Sequence, residues 1–341
     1  MSAPAIPKGS LVLVTGATGC VGSGVAKELI KAGYKVRAPV RNAEKGALLS
    51  EVLQKQYGAD CISTVLVADM VQPGSLDQAV EGCAGIVHVA SDASFSADPN
   101  LVIPPSVDLA TNLLKSAAKT ASVKRFVFTS SQAVLPSLTE PGVINGKSWN
   151  PNADGIVSYA WAEPHTEDKA AAIYVASKIS AERACWEFME EEKPGFVLNT
   201  VIPGLNIGEV LHPELLSSSN QVVHGMLVSH PFAVGFIQTV SPTNFVNIED
   251  NGLLHLAALT VDGCRGERLL ALGESFDFNR MVDVLNKLVP ENKLPPKEES
   301  PKVPVATVET TREVELLKAV GKDGFFGFDE SVRLCILGNG N

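Results

Sequence analysis

Tyr174 and Lys178 stand four residues apart in the run AIYVASK, among small and apolar residues, in a chain with four tyrosines. On a helix that spacing sets both side chains on one face. A phenol and an ammonium held side by side shift each other's ionisation, which is what an acid/base catalyst near neutral pH needs. Taken alone, the pair is equally what a helix with a buried Tyr and an exposed Lys would show.

A second stretch with chemical content is TGATGCVG at residues 15–22, with glycines at Gly16, Gly19 and Gly22. Gly16 permits a tight turn, Gly19 lets backbone approach a pyrophosphate, and Gly22 lets the following helix pack closely on the strand. A helix that starts there offers free N–H groups and a partial positive charge to an anion. The triad follows an apolar β-branched run and opens a helical pattern, the context a dinucleotide site requires; the alternative is a tight turn that binds nothing. Further on, VRAPVRNAEK carries Arg37, Arg41 and Lys45 and no acid at the strand end. An acid there would accept from a ribose 2′-hydroxyl, whereas cations suit a 2′-phosphate, so NADP(H) is expected, held by Arg41 and Lys45. Arg37 lies within the strand and is readable as a solvated side chain.

These residues need a scaffold. Apolar β-branched runs at 10–15, 34–40, 63–67, 85–90, 125–129 and 196–202 read as strands. Helical patterns at 22–32, 48–56, 76–80, 105–120 and 171–192 alternate with them. Such alternation implies parallel strands with right-handed crossovers and a doubly wound α/β sheet. After Pro203 the pattern loosens, with helices expected at 250–259, 278–289, 313–320 and 330–337 and an exposed proline-rich connector at 290–304. The expected division is a Rossmann domain over 1–203, to which later segments return, and a mainly substrate-binding lobe over 204–341.

Composition narrows the function. The 341 residues carry a formal net charge of −10, which disfavours a nucleic-acid partner. No apolar segment has transmembrane length and no secretory leader is visible, so a cytoplasmic protein without membrane contact is expected. The six cysteines and six histidines are scattered without ligand spacing, so neither a metal site nor a disulfide framework is indicated.

The glycine spacing G-x-x-G-x-x-G, the Y-x-x-x-K pair and the stretches GYKVRAPVRN, KRFVFTSS and YVASKISAE resemble the extended branch of the short-chain dehydrogenase/reductases. Within it they are similar to the dihydroflavonol-reductase-like group, which includes microbial aldehyde and ketone reductases of the aldehyde reductase II type. The resemblance covers nearly the whole chain. It implies a Rossmann sheet with a smaller C-terminal lobe, and NADPH-dependent reduction of aldehydes, aryl ketones and β-keto esters to alcohols. By the same resemblance Lys178 binds the nicotinamide ribose and lowers the Tyr174 pKa, Tyr174 gives the proton to the carbonyl oxygen, and Ser131 steadies that oxygen. Asn112 matches a helix-distorting, water-holding Asn, or else bonds only to backbone.

The implied cofactor contacts are Gly16, Thr18, Gly19, Cys20 and Val21 in the phosphate loop, and Asp69 and Met70 at the adenine. Val89, Ala90, Ser91 and Thr129 would lie by the ribose and nicotinamide, together with Tyr174 and Lys178. Pro203, Leu205 and Asn206 would wall the carboxamide, and Ser218 would reach a phosphate. Phe95, Leu135, Leu205 and Phe245 are expected in an apolar substrate pocket, with core packing as the alternative for each. The chain departs from the pattern at Cys20, where relatives carry Phe or an aliphatic residue. It also departs at Asp92, near the nicotinamide position. The long segment 135–169, with Trp149, Tyr159 and Trp161, reads either as substrate rim or as cover for the sheet edge.

The expected partner is a small carbonyl compound, and the chain a monomer or homodimer. A sugar-nucleotide epimerase or dehydratase shares the glycine triad and Y-x-x-x-K. It would want an acid after the second strand and cations in the C-terminal lobe, yet no Lys or Arg occurs from Gly204 to Asn247. A sterol dehydrogenase on the same scaffold is a further reading. A non-catalytic NADP-sensing regulator would typically have lost Tyr174 or Lys178.

Overall fold

The computed structural model describes residues 3–92 and 94–338. In chain order it runs β1 (Leu11–Thr15), α1 (Cys20–Lys31), β2 (Lys35–Val40), α2 (Ala43–Tyr57), β3 (Ile62–Leu66), α3 (Asp77–Val80), β4 (Gly85–His88), α4 (Pro99–Ala118) and β5 (Arg125–Thr129). Then follow β6 (Val143–Ile144), α5 (Ala153–Trp161), α6 (Ala170–Glu192), β7 (Val197–Pro203), β8 (Leu205–Ile207), α7 (Ser218–Leu227), α8 (Pro231–Val240) and β9 (Thr243–Asn247). The chain closes with α9 (Ile248–Thr260), β10 (Arg268–Ala271), β11 (Ser275–Phe276), α10 (Phe278–Leu288), β12 (Thr307–Val308), α11 (Thr311–Ala319) and α12 (Phe328–Leu337).

Seven strands form one parallel sheet in the order β10-β7-β5-β4-β1-β2-β3. The chain winds outward from β1 through β2 and β3, then restarts at β4 on the other side. The carboxyl ends of β1 and β4 therefore face a topological switch point, where ligands of such sheets bind. Strands buried on both faces explain the unbroken apolar runs: all of β4 and β5 is buried.

Two helices begin a full turn or more before the apolar spacing suggests, because capping chemistry overrides it. Asn42 accepts from the Lys45 N–H at 2.9 Å and starts α2 at Ala43, five residues ahead of the expected 48. Asp98 caps α4, with Pro99 in its first turn, so Pro104 and Pro105 lie inside the helix rather than at its start. An interior proline costs about 3 kcal/mol. Burial of Val102, Ile103, Leu113 and Leu114 offsets that, at roughly 1.5–3 kcal/mol per aliphatic side chain.

The segment after Pro203 is more regular than its composition suggests. β8 pairs in parallel with β9, and β11 pairs antiparallel to β9, forming a three-stranded sheet. With α7, α8, α10 and α12 it encloses a core that includes Met226, Ile237, Phe245, Phe276 and Phe328. The chain also returns to the large sheet. β10 adds the seventh strand beside β7, and α9 packs on α1, where a Cβ at Gly24 would meet Ile248 Cγ2 at 2.5 Å. Among the described residues no helix is long and apolar enough to cross a membrane, and no cluster of potential metal ligands occurs.

Candidate active site

The switch point is fastened by Thr15, the last residue of β1. Its hydroxyl oxygen accepts from the Val89 and Ala90 N–H groups, both at 3.1 Å, and lies 2.8 Å from His88 Nδ1. With two donors already pointing at the oxygen, the hydroxyl proton goes to His88 Nδ1. Burial, reinforced by the Lys178 charge, pushes the His88 pKa down to about 3, so the ring is neutral. This clasp fixes the Val89–Ala90 backbone beside the glycine turn.

That turn is shaped by close approach. Gly16 has φ +68°, and a Cβ on it would come within 2.8 Å of Ala90 N; a Cβ on Gly22 would overlap Gly16 O. Gly19 is the N-cap of α1 and supplies no side-chain cap. The first-turn N–H groups are thus left for another acceptor. One of them, Cys20 N–H, donates to Ser217 Oγ at 3.0 Å. A hydroxyl from the segment after β8 therefore reaches the glycine turn. The sequence pointed to its neighbour Ser218, whose side chain lies outside the described residues. Thr18 and Val21 are half-buried in this loop, and Cys20 is buried. Burial pushes the Cys20 thiol up to about 12, so it stays neutral.

Arg41 and Lys45 are exposed at the end of β2 and the start of α2. Among the described residues neither has an ion-pair partner. Arg37 is not a solvated side chain: it donates to Ala79 O at 2.8 Å and Glu81 O at 2.7 Å, closing the end of α3. Asp69 is exposed and accepts from Val71 N at 2.9 Å, while Met70 is buried. Ser91 is exposed, and Asp92 accepts from Ser94 N at 2.7 Å. Asn112 bonds backbone, donating to Val71 O at 2.5 Å and so tying α4 to the loop after β3.

The Ala- and Glu-rich run of α6 has strong helix propensity and carries Tyr174, Lys178 and Glu182 at successive turns. Lys178 is buried and its ammonium donates to Thr129 O at 3.2 Å, at the end of β5. Burial lowers its pKa to about 8, opposed by the Glu182 charge. Two residues further along β5's exit, Ser131 opens a short 3-10 turn and its hydroxyl accepts from Ala133 N at 3.3 Å. Burial raises the Tyr174 phenol pKa, and a hydrogen bond with Ser131 opposes that without cancelling it. Burial is thus the larger influence on the phenol in this structure, with Ser131 opposing it. Tyr174 and Lys178 share a helix face, but the ammonium is turned to the Thr129 carbonyl.

Thr129 is itself held from behind. Its hydroxyl lies 2.8 Å from His255 Nε2, and His255 Nδ1 lies 2.8 Å from Asn251 O. A carbonyl can only accept, so Nδ1 carries the proton and Nε2 accepts from Thr129. The buried ring has its pKa lowered to about 4, chiefly by burial. Asn206 is also occupied: it donates to Gly204 O at 3.1 Å and accepts from Asn251 Nδ2 at 2.6 Å. Pro203 is buried at the end of β7, opposite Ala271.

Above Tyr174 lies an aromatic wall. Phe95 stacks obliquely on the Tyr174 ring at 5.2 Å and meets Phe236 edge-on at 6.5 Å. Phe236 in turn stacks with the exposed Phe232 at 6.1 Å. The two α8 phenylalanines lie in the stretch whose pattern looked loose. Leu205 is half-buried against the lobe core. Leu135 packs in a core with Ile179 and Leu272, and Phe245 is fully buried against Phe328, so both sit in core rather than on an open wall. Trp149 stacks on Arg268 at 3.9 Å beside the sheet edge, and Lys169 lies 4.7 Å from the Tyr159 ring centroid.

Similarity to known proteins places the chain in a lineage. The sequence profile of the NAD dependent epimerase/dehydratase family matches residues 12–222. The chain belongs to that family. It is thereby an extended short-chain dehydrogenase/reductase. Among its relatives is an Aspergillus terreus protein described as an NAD-dependent epimerase/dehydratase, 36% identical, with 97% of each chain covered. Aldehyde reductase 2 of Sporidiobolus salmonicolor is 35% identical over 96% of this chain and 95% of its own. The fold is also that of yeast methylglyoxal/isovaleraldehyde reductase, solved in complex with NADPH, with a TM-score of 0.75 at 24% identity, covering 95% of this chain and 96% of that one.

Proposed function

We propose that this family member is an NADPH-dependent carbonyl reductase, converting aldehydes and ketones to alcohols. The observation that carries the reading is the placement of Tyr174 and Lys178 one turn apart on α6, with the Lys178 ammonium on Thr129 O at the carboxyl end of β5 and Ser131 two residues beyond. The relatedness to an aldehyde reductase supports it.

The residues present fit a bound dinucleotide phosphate. The turn has no room for a side chain at Gly16 or Gly22, and the first turn of α1 carries no side-chain cap from Gly19. Arg41 and Lys45 are free to meet the 2′-phosphate, and no carboxylate stands at the end of β2 to favour the unphosphorylated ribose. When bound, the cofactor supplies a hydride to the carbonyl carbon. Tyr174, kept protonated by burial, delivers its proton to the carbonyl oxygen. Ser131 donates to the same oxygen and steadies its developing charge. Lys178 holds the ribose and keeps a positive charge near the phenol. Phe95, Phe232 and Phe236 exclude water on the substrate side and offer ring faces to an aryl group.

The test follows cofactor absorbance with NADPH and NADH in parallel against aryl ketones, β-keto esters and aliphatic aldehydes. Consumption of NADPH with an aryl carbonyl is expected. An enzyme that binds NADPH yet reduces no member of the panel would remove the reading.

A further inference from the structure

One carboxylate near this set is assigned no role by the reaction. Glu182 lies two helical turns beyond Tyr174 and one beyond Lys178, and it is completely buried. Its Oε2 accepts from Ser130 Oγ at 2.5 Å. Its Oε1 accepts from Arg268 Nε at 2.7 Å and from Trp186 Nε1 at 3.4 Å. Arg268, from the seventh strand, is fixed in turn by Ser148 O at 2.5 Å, Gly146 O at 3.1 Å and the Trp149 ring. A buried carboxylate this fully satisfied is rigid, and leaving Arg268 unpaired would be costly.

Ser130 immediately precedes Ser131. Its backbone N–H is taken by Val201 O at 2.8 Å and its hydroxyl by Glu182. The residue that leads into the Ser131 turn is therefore clamped at both ends. The Glu182 charge also acts on Lys178. The other ionisable groups near Lys178 are Tyr174 and Cys185 on its own helix and His88 from β4; Arg268 from β10 faces Glu182.

We propose that Glu182 is a positioning residue for the reaction: its carboxylate, anchored by Arg268, holds Ser130 and so sets the turn that presents Ser131 to Tyr174, while its charge faces Lys178. This rests on the carbonyl-reductase reading above. Glu182 touches no reacting atom; it acts through its neighbours.

Two variants test it. Ser130→Ala removes one hydroxyl and leaves the Glu182–Arg268 pair intact. It should lower kcat roughly ten- to a hundredfold, with NADPH affinity by fluorescence titration and melting temperature both near the parent's. Glu182→Gln should show the same fall and also move the alkaline limb of the pH–rate profile to lower pH, because the charge that keeps Lys178 protonated is gone. The double variant should fall no further than Glu182→Gln alone. A Ser130→Ala protein with parental kcat overturns the proposal, whether or not Glu182→Gln folds. A folded Glu182→Gln protein with an unmoved alkaline limb overturns it as well. Tyr174→Phe is assayed alongside: turnover retained there would sink the carbonyl-reductase mechanism itself, a result distinct from either of these.

Discussion

Phe95 lays its ring obliquely over Tyr174, with centroids 5.2 Å apart and planes inclined by 34°. Phe95 sits in a loop at φ +53°, a conformation few non-glycine residues adopt. Phe236 meets its other edge. The wall therefore joins the loop after β4 to helix α8. Phe236→Ala should raise KM for an aryl ketone about tenfold, consistent with the loss of a buried aromatic contact, and change KM for a short aliphatic aldehyde little. Parallel Michaelis curves for the two substrates check this; an equal rise in both would place Phe236 in general lobe packing.

Tyr174→Phe removes the proposed proton donor while keeping the ring that Phe95 packs on. Turnover should fall by roughly 10²–10⁴, the range of a lost general acid. NADPH binding, read by fluorescence titration, should be unchanged. Turnover near the parental rate would strip Tyr174 of the acid role.

Arg41→Ala should weaken NADPH about ten- to a hundredfold, the value of a charge-assisted hydrogen bond, and leave NADH affinity nearly as it was. Titration with both cofactors separates the outcomes. Equal losses would mean that Arg41 does not read the 2′-phosphate.

The alkaline limb of kcat/KM should belong to Lys178 rather than Tyr174. Burial lowers the lysine pKa to about 8 while raising that of the phenol. The proposed catalytic cation is then lost first as pH rises, and activity should decline above about pH 8. The sign for stability is opposite. Between the folded value of about 8 and the reference 10.5, the unfolded chain holds a proton that the folded one lacks. This lysine therefore adds stability as pH rises through that window. Loss of activity without loss of melting temperature is the expected pair of observations.

Glu313 offers a stability test far from the chemistry. It is buried, its Oε1 accepts from Leu270 N at 2.8 Å, and burial pushes its pKa from 4.5 to about 7, which the Leu270 N–H only partly opposes. Between these values the folded chain holds a proton that the unfolded chain has released, so this group's contribution falls as pH rises from about 4.5 to 7. Glu313→Gln should be near neutral at pH 5. At pH 8 it should stabilise by at most about 3 kcal/mol. Thermal melts at the two pH values decide, and a gain at pH 5 equal to that at pH 8 would refute the assignment.

The local signals were legible wherever one short segment does the work. The glycine turn announced itself because Gly16 and Gly22 answer steric demands set within a single strand–turn–helix unit. Tyr174 and Lys178 announced themselves because helical spacing alone puts them on one face. The strands β1 to β5 and β7 followed from apolar, β-branched runs that alternate with helical patterns. Only the tertiary structure decided the rest, because those features join parts of the chain that no period connects. Strand β10 is four residues long and belongs to the sheet only through its pairing with β7. Ser217 reaches the glycine turn across 197 positions, and Phe236 of α8 meets Phe95 of the loop after β4. The ionisation of Tyr174 was likewise beyond the sequence. Helix geometry brings a cation near the phenol, but burial and the Ser131 hydroxyl, set by β5, α6 and their clamp at Glu182, decide which way its pKa moves.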